Sequence, residues 1–234
     1  MSDLTSGLIV VAVTGVLIGV IFLLVAAQKK KRTTTLRHLA GMNGWSYEPV
    51  EEQLSSGWRL RKGEWTIEAL NLTSKNASDN SNSSTVNSQT RWFSSAVCMK
   101  DGIILIGPHQ PEINLGGLGE MMRQVFLRVM IGDEAVNAEG IQQVELGSLE
   151  LMARYMVWTN REEIAKQLID QQLENELRVW PMKLPPVVKF SPGGLEIKLQ
   201  GLRLYKEQDI YALVKLGNTL LDSAFSLEKG NNPL

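Results

Sequence analysis

The sequence predicts an α+β protein: an N-terminal transmembrane helix, then a cytoplasmic domain of mainly antiparallel strands with three amphipathic helices. Three observations carry this. Leu8 to Ala27 is uncharged and is followed at once by Lys29, Lys30, Lys31 and Arg32. Several short runs between Trp45 and Leu199 alternate apolar with polar side chains, as half-buried strands do. Three later segments repeat apolar residues at helical spacing.

The apolar run has the ~20-residue length that a helix needs to cross ~30 Å of hydrocarbon. Its leader Met1-Ser2-Asp3-Leu4 carries an acid and no Lys or Arg. That does not fit a cleaved secretory signal. The basic cluster on the C-terminal flank places the N-terminus outside and the rest in the cytoplasm. Residues 1–7 are then a short extracytoplasmic N-terminus, 8–28 the transmembrane helix and 29–44 a basic juxtamembrane stalk. Lys29, Lys30, Lys31 and Arg32 set topology and face lipid headgroups. Ala12, Gly15, Gly19 and Ala26 share one side of the helix and include a GxxxG, a surface on which two spans can pack closely.

The chain has 24 Lys+Arg and 25 Asp+Glu. Residues 1–32 hold four of the basic residues and Asp3, which leaves 20 against 24 in the remainder. A mildly acidic domain with scattered cations excludes the footprint of a nucleic-acid binder. Cys98 is the single cysteine, so no intrachain disulfide forms, consistent with a reducing compartment. Its surroundings, Ala96-Val97-Cys98-Met99, read as those of a small buried hydrophobe.

Residues 45–131 read as a β-rich lobe. Trp45–Glu48, Trp58–Arg61, Trp65–Leu70 and Thr90–Met99 are strand-like, and Ile103–Ile106 is an apolar central strand. The Asn/Ser-rich segment 75–89 cannot bury enough surface to order itself and is expected to be a disordered loop. Its Asn-x-Ser/Thr matches are unused on a cytoplasmic domain. A helix over 117–130 carries Leu118, Met121, Met122, Val125, Phe126, Val129 and Met130 on one side.

Residues 149–226 read as an α/β lobe, and 227–234 as a flexible tail. Leu151–Trp158 is strand-like, and Thr159 with Glu162 opens a capped helix to about Arg178. Val187–Phe190 and Leu195–Leu199 flank Ser191-Pro192-Gly193-Gly194 as a hairpin. A last helix, 208–225, buries Ile210, Leu213, Val214, Gly217, Leu220, Leu221 and Phe225.

No catalytic constellation emerges. The loop at 114–119 lacks the Lys-Ser/Thr of a P-loop and the third glycine of a dinucleotide fingerprint. His38 and His109 have no metal-ligand spacing, and Glu162-Glu163 are helix-start charges. The expectation is no cofactor, no metal and no defined reaction. Trp65, Arg91, Trp92 and His109 are the pocket candidates, should the Trp-rich region line a ligand groove rather than a core.

Leu39-Ala40, Asn43-Gly44-Trp45-Ser46-Tyr47, Thr90-Arg91-Trp92, Tyr155-Met156-Val157-Trp158-Thr159 and Gly194-Leu195-Glu196-Ile197 together resemble uncharacterised bacterial single-pass membrane proteins with a cytoplasmic domain of unknown function. The likeness covers most of 36–225 and implies no activity and no catalytic residues. The functional expectation is a membrane-anchored scaffold that recruits or stabilises a protein partner, or serves as accessory subunit of a membrane complex. Its partners are the lipid bilayer and a protein or second copy bound through the span. The alternative is a small-ligand receptor or enzyme with a pocket under the Trp-rich sheet.

Overall fold

The computed structural model describes residues 2–75, 84–109, 130–132 and 139–229, without the side chains of 2–13, 15, 16, 74, 75, 84 and 85. Two units are distinguished, Met1–Trp45 and Ser46–Leu234.

The first unit is one helix, α1 (Ser2–Asn43), so the expected span and stalk are continuous. At 1.5 Å per residue it is about 63 Å long. Its end is a Schellman motif: Gly44 sits at φ +65°, its N–H donates to Gly41 O, and Trp45 N–H donates to Ala40 O at 2.8 Å. Glycine is required there because the left-handed region penalises a Cβ. Leu17, Ile18, Val20, Ile21, Phe22, Leu23, Leu24 and Val25 are all exposed on α1. Among the described residues no helix is long and apolar enough to cross a membrane, so the described part of α1 adds no support for a span at 8–28. At Ala12 and Gly15 only the backbone is described.

The second unit is built on one nine-stranded sheet, ordered β1-β2-β3-β4-β9-β8-β5-β7-β6 with every neighbouring pair antiparallel. The strands are β1 (Ser46–Glu51), β2 (Ser55–Lys62), β3 (Trp65–Lys75), β4 (Ser84–Ser94), β5 (Ile104–Pro108), β6 (Gln142–Val144), β7 (Tyr155–Thr159), β8 (Val187–Ser191) and β9 (Gly194–Gln200). The helices are α2 (Leu149–Arg154), α3 (Glu162–Leu168), α4 (Gln171–Arg178) and α5 (Glu207–Lys229).

Strand periodicity sorts the sheet into two faces. The first carries Trp58, Leu60, Ile67, Ala69, Trp92, Ile197, Val188, Ile106 and Val157, all buried and related through the cross-strand register. α5 packs here against β4 and β9, with α3 and α4 packed on α5. Two polar ties fix that layer. Asp170 accepts from Leu173 N as the N-cap of α4 and from Ser223 Oγ of α5, and Lys215 of α5 pairs with Glu176 of α4 at 2.7 Å.

On the second face, the β5–β7 end is apolar. Ile103, Leu105, Trp158 and Val187 form a buried cluster with Met130 and Ile131. Ile104–Pro108 lies inside the sheet between β8 and β7, as an apolar central run should.

Several expectations change. The 45–131 and 149–226 lobes do not separate, because β8 and β9 from the second insert between β4 and β5 of the first. The 75–89 loop shrinks: β3 runs to Lys75, and β4 starts at Ser84, leaving 76–83 outside the described residues. Full pairing with β3 overrides the loop-like composition of 84–89. Residues 151–154 are helix, not strand, because Ser148 Oγ accepts from Leu151 N and caps α2. The helix expected from Thr159 to Arg178 is two helices. Thr159 ends β7, where its Oγ1 accepts from Arg161 N, and Asp170 starts the second helix. The 187–199 hairpin forms with Gly194 at φ +105°, and the last helix extends to Lys229. The helix expected over 117–130 and the loop at 114–119 lie outside the described residues apart from Met130, as does the tail beyond 229.

Candidate functional site

The four pocket candidates do not converge. Trp65 and Trp92 belong to the helix-covered face, where Trp92 is fully buried and filled against by Gly217 of α5. Trp58 joins them there as core. Arg91 precedes Trp92 on β4 and therefore lies on the opposite face. His109 is exposed just past β5, its N–H donating to Arg154 O at 2.8 Å. Depressions lie elsewhere on the described surface. One of about 510 Å3 is lined, among the described residues, by Gln171, Gln172, Glu174, Asn175 and Arg178 of α4. Another of about 530 Å3 runs along Ala27, Lys30, Lys31, Thr34, Thr35 and His38 of α1. Among the described residues no group of His, Cys, Asp and Glu has the arrangement to hold a metal ion. Cys98 is exposed rather than buried.

What the fold does assemble is a row of charges on the second face. Glu48, Arg59, Glu68, Arg91 and Lys198 are successive cross-strand partners across β1, β2, β3, β4 and β9. Signs alternate over the first four. Arg59 Nε donates to Glu68 Oε1 at 2.6 Å, and Arg59 Nη1 to Glu48 Oε2 at 3.2 Å. Opposite charges directly across strands stabilise a sheet by a few tenths to 1 kcal/mol per pair.

The alternation breaks at Arg91, which stands opposite Lys198. Glu196, two residues back on β9, resolves this like-charge pair. It forms an ion pair with Arg91, with Lys198 at 3.3 Å and with Lys189 of β8 at 2.9 Å. Lys189 Nζ also donates to Ile131 O, joining the charged half of the face to its apolar half. The Glu196 side chain is 4 % exposed, whereas Lys198 is 24 % and Arg91 40 % exposed. The Phe93 ring also meets Arg91, its centroid 4.6 Å from the guanidinium carbon. Burial alone pushes the Glu196 carboxyl upward. The charges of Arg91, Lys198 and Lys189, with the Lys189 hydrogen bond, outweigh burial and hold it below the usual carboxylate range.

Sequence reasoning singled out Arg91 for its neighbour Trp92 and missed Glu48, Arg59, Glu68, Lys189, Glu196 and Lys198. The available signal was the alternation of Glu196-Ile197-Lys198, which places two charges on one side of a strand. Their partners are set by register, which no local pattern states.

No protein-family model matches the chain, and no curated protein matches it. One solved structure does. The crystal structure of the mycobacterial trehalose monomycolate transport factor A, TtfA, aligns with a TM-score of 0.45 and 10 % identity, covering 82 % of this chain and 95 % of that chain.

Proposed function

We propose that this chain is a membrane-anchored binding module that holds a protein partner at the cytoplasmic side of a bacterial inner membrane. The partner docks on the second face of the sheet. The carrying observation is the asymmetry of the two faces: α5 with α3 and α4 covers one, while the other presents the Glu48–Arg59–Glu68–Arg91–Lys198 row. Charged rows steer encounter and fix register with a complementary surface.

The anchor reading draws on the sequence alone, the uncharged run at 8–27 and the collar Lys29–Arg32. The stripe of Ala12, Gly15, Gly19 and Ala26 supports packing of the span on a second copy or another subunit. No feature of the described face requires a reaction.

The test combines topology with contact mapping. Cys98, exposed and the only cysteine, should react with a membrane-impermeant maleimide only after spheroplasts are permeabilised. A photo-crosslinking residue at Glu48 or Arg61 should trap a discrete adduct, and one at Tyr211 on α5 should not. Carbonate-extractable protein, labelling in intact spheroplasts, or equal trapping from both faces would each defeat the proposal.

A further inference from the structure

We infer that the side of α1 carrying Lys30 and Lys31 binds the phosphate of an anionic glycerophospholipid, with Lys29 and Arg32 outside the contact. This rests on the span reading above and names the lipid that the anchored chain takes.

Between Asp3 and Glu48 the sequence has no acidic residue, so the cations of α1 have no carboxylate of the same helix beside them. Helical spacing splits the basic cluster in two. Lys29 and Arg32 fall on the side where Leu36, Leu39 and Ala40 are buried, and both have other interactions. Lys30 and Lys31 fall on the opposite side, in line with Ala27, Thr34, Thr35 and His38. These six exposed residues line one groove. Among the described residues, neither ammonium group in it has a hydrogen bond or an ion pair.

Depth along the helix selects the ligand. At about 1.5 Å per residue, the two lysines stand about 5–6 Å past Ala27, where the uncharged run ends. The headgroup layer is about 5–8 Å thick on each side of the hydrocarbon, so both lysines reach phosphate level.

The groove floor suits the rest of the lipid. Thr34 and Thr35 donate their hydroxyls to Lys30 O and Lys31 O at 3.0 Å, as Thr33 does to Lys29 O. With the hydroxyls turned onto the backbone, methyl groups are left between lysine stems that are themselves apolar. Such a surface accepts a glycerol backbone, while compact ammonium groups accept phosphate oxygens.

The experiment reconstitutes the full chain in phosphatidylcholine vesicles holding a trace of spin-labelled phosphatidylglycerol or spin-labelled phosphatidylcholine. Electron paramagnetic resonance reads the fraction of each label that the protein immobilises. Expected is a preference for phosphatidylglycerol of roughly fivefold, largely lost in Lys30→Gln/Lys31→Gln. Lys29→Gln/Arg32→Gln removes the same charge and should keep the preference, as should Lys30→Arg/Lys31→Arg. No preference in wild type, or an equal loss in both Gln doubles, overturns the inference and leaves the anchor standing. Loss of the preference on adding inorganic phosphate at constant ionic strength overturns it in favour of a soluble phosphate ligand. Chain that carbonate washes off the vesicles defeats the anchor and this inference together.

Discussion

Gly217 of α5 lies against the indole of Trp92 near the end of β4: a Cβ built on it would stand 2.6 Å from Nε1 and 2.7 Å from Cδ2. The helix can approach the sheet this closely only because position 217 has no side chain. Both residues are buried, so neither can swing away into solvent. Gly217→Ala should therefore destabilise by about 1–3 kcal/mol despite the better helix propensity of Ala. Urea unfolding of the full chain in detergent reads this. Trp92→Phe in the Gly217→Ala background should restore part of the loss, giving a coupling energy in the double-mutant cycle.

Glu196→Gln removes a carboxylate shared by Arg91, Lys198 and the buried Lys189. Breaking a buried ion pair from one side typically costs about 3–5 kcal/mol. We expect a loss in this range or just under it, since Arg91 and Lys198 are partly solvated. Lys189→Met together with Glu196→Leu should recover much of it.

The same carboxylate sets an acid limb. Its pKa is lower in the folded than in the unfolded chain, so the unfolded state binds more protons as pH falls. Its contribution is full above the ordinary carboxylate value of 4.5 and is lost as pH drops below that value through the depressed one. Unfolding midpoints recorded from pH 6 downward should fall in wild type and fall less steeply in Glu196→Gln. Equal slopes would show that Glu196 is not held low.

Tyr155 sets the alkaline limb. Desolvation, only partly opposed by Arg154, raises its hydroxyl from 10.0 to about 12, and the hydroxyl donates to Leu177 O at 3.1 Å. Here the folded value is the higher one, so stability is full below pH 10.0 and declines as pH rises toward about 12. Two units correspond to about 2–3 kcal/mol at most. Tyr155→Phe should flatten this decline, and phenolate absorbance at 295 nm should show one tyrosine titrating late.

Asp170 serves two helices through one side chain, accepting from Leu173 N at 2.7 Å and Ser223 Oγ at 2.8 Å. Asp170→Ala should cost about 1–2 kcal/mol, and Ser223→Ala, which leaves the cap, should cost less. Thermal unfolding of the two variants separates cap from tether.

The parts of this fold that the sequence shows are those whose cause is local. Pro192-Gly193-Gly194 between two alternating runs reads as a hairpin, and Ile210 to Phe225 reads as a helix with one apolar side. Gly44 reads as a C-cap because the left-handed position needs glycine. What it hides is set by partners distant in the chain. Ser84–Gln89 is strand only because Asn71–Lys75 and Leu70 pair with it. Arg91 looks like a neighbour of Trp92, yet the two project to opposite sides of the sheet. The charged row needs a register spanning five strands, from Glu48 to Lys198.

The placement of the β8–β9 hairpin between β4 and β5 has a consequence for how this chain is made. β4 ends at Ser94 and β5 begins at Ile104, yet neither gains its second neighbour until residues 187–200 have left the ribosome. Until then both strands expose an unsatisfied edge, and β5 is almost wholly apolar. The closing contacts are far apart in sequence, so loop-closure entropy delays them and slows folding. A nascent chain released only as far as β7 thus carries two open strand edges, the condition under which chains aggregate.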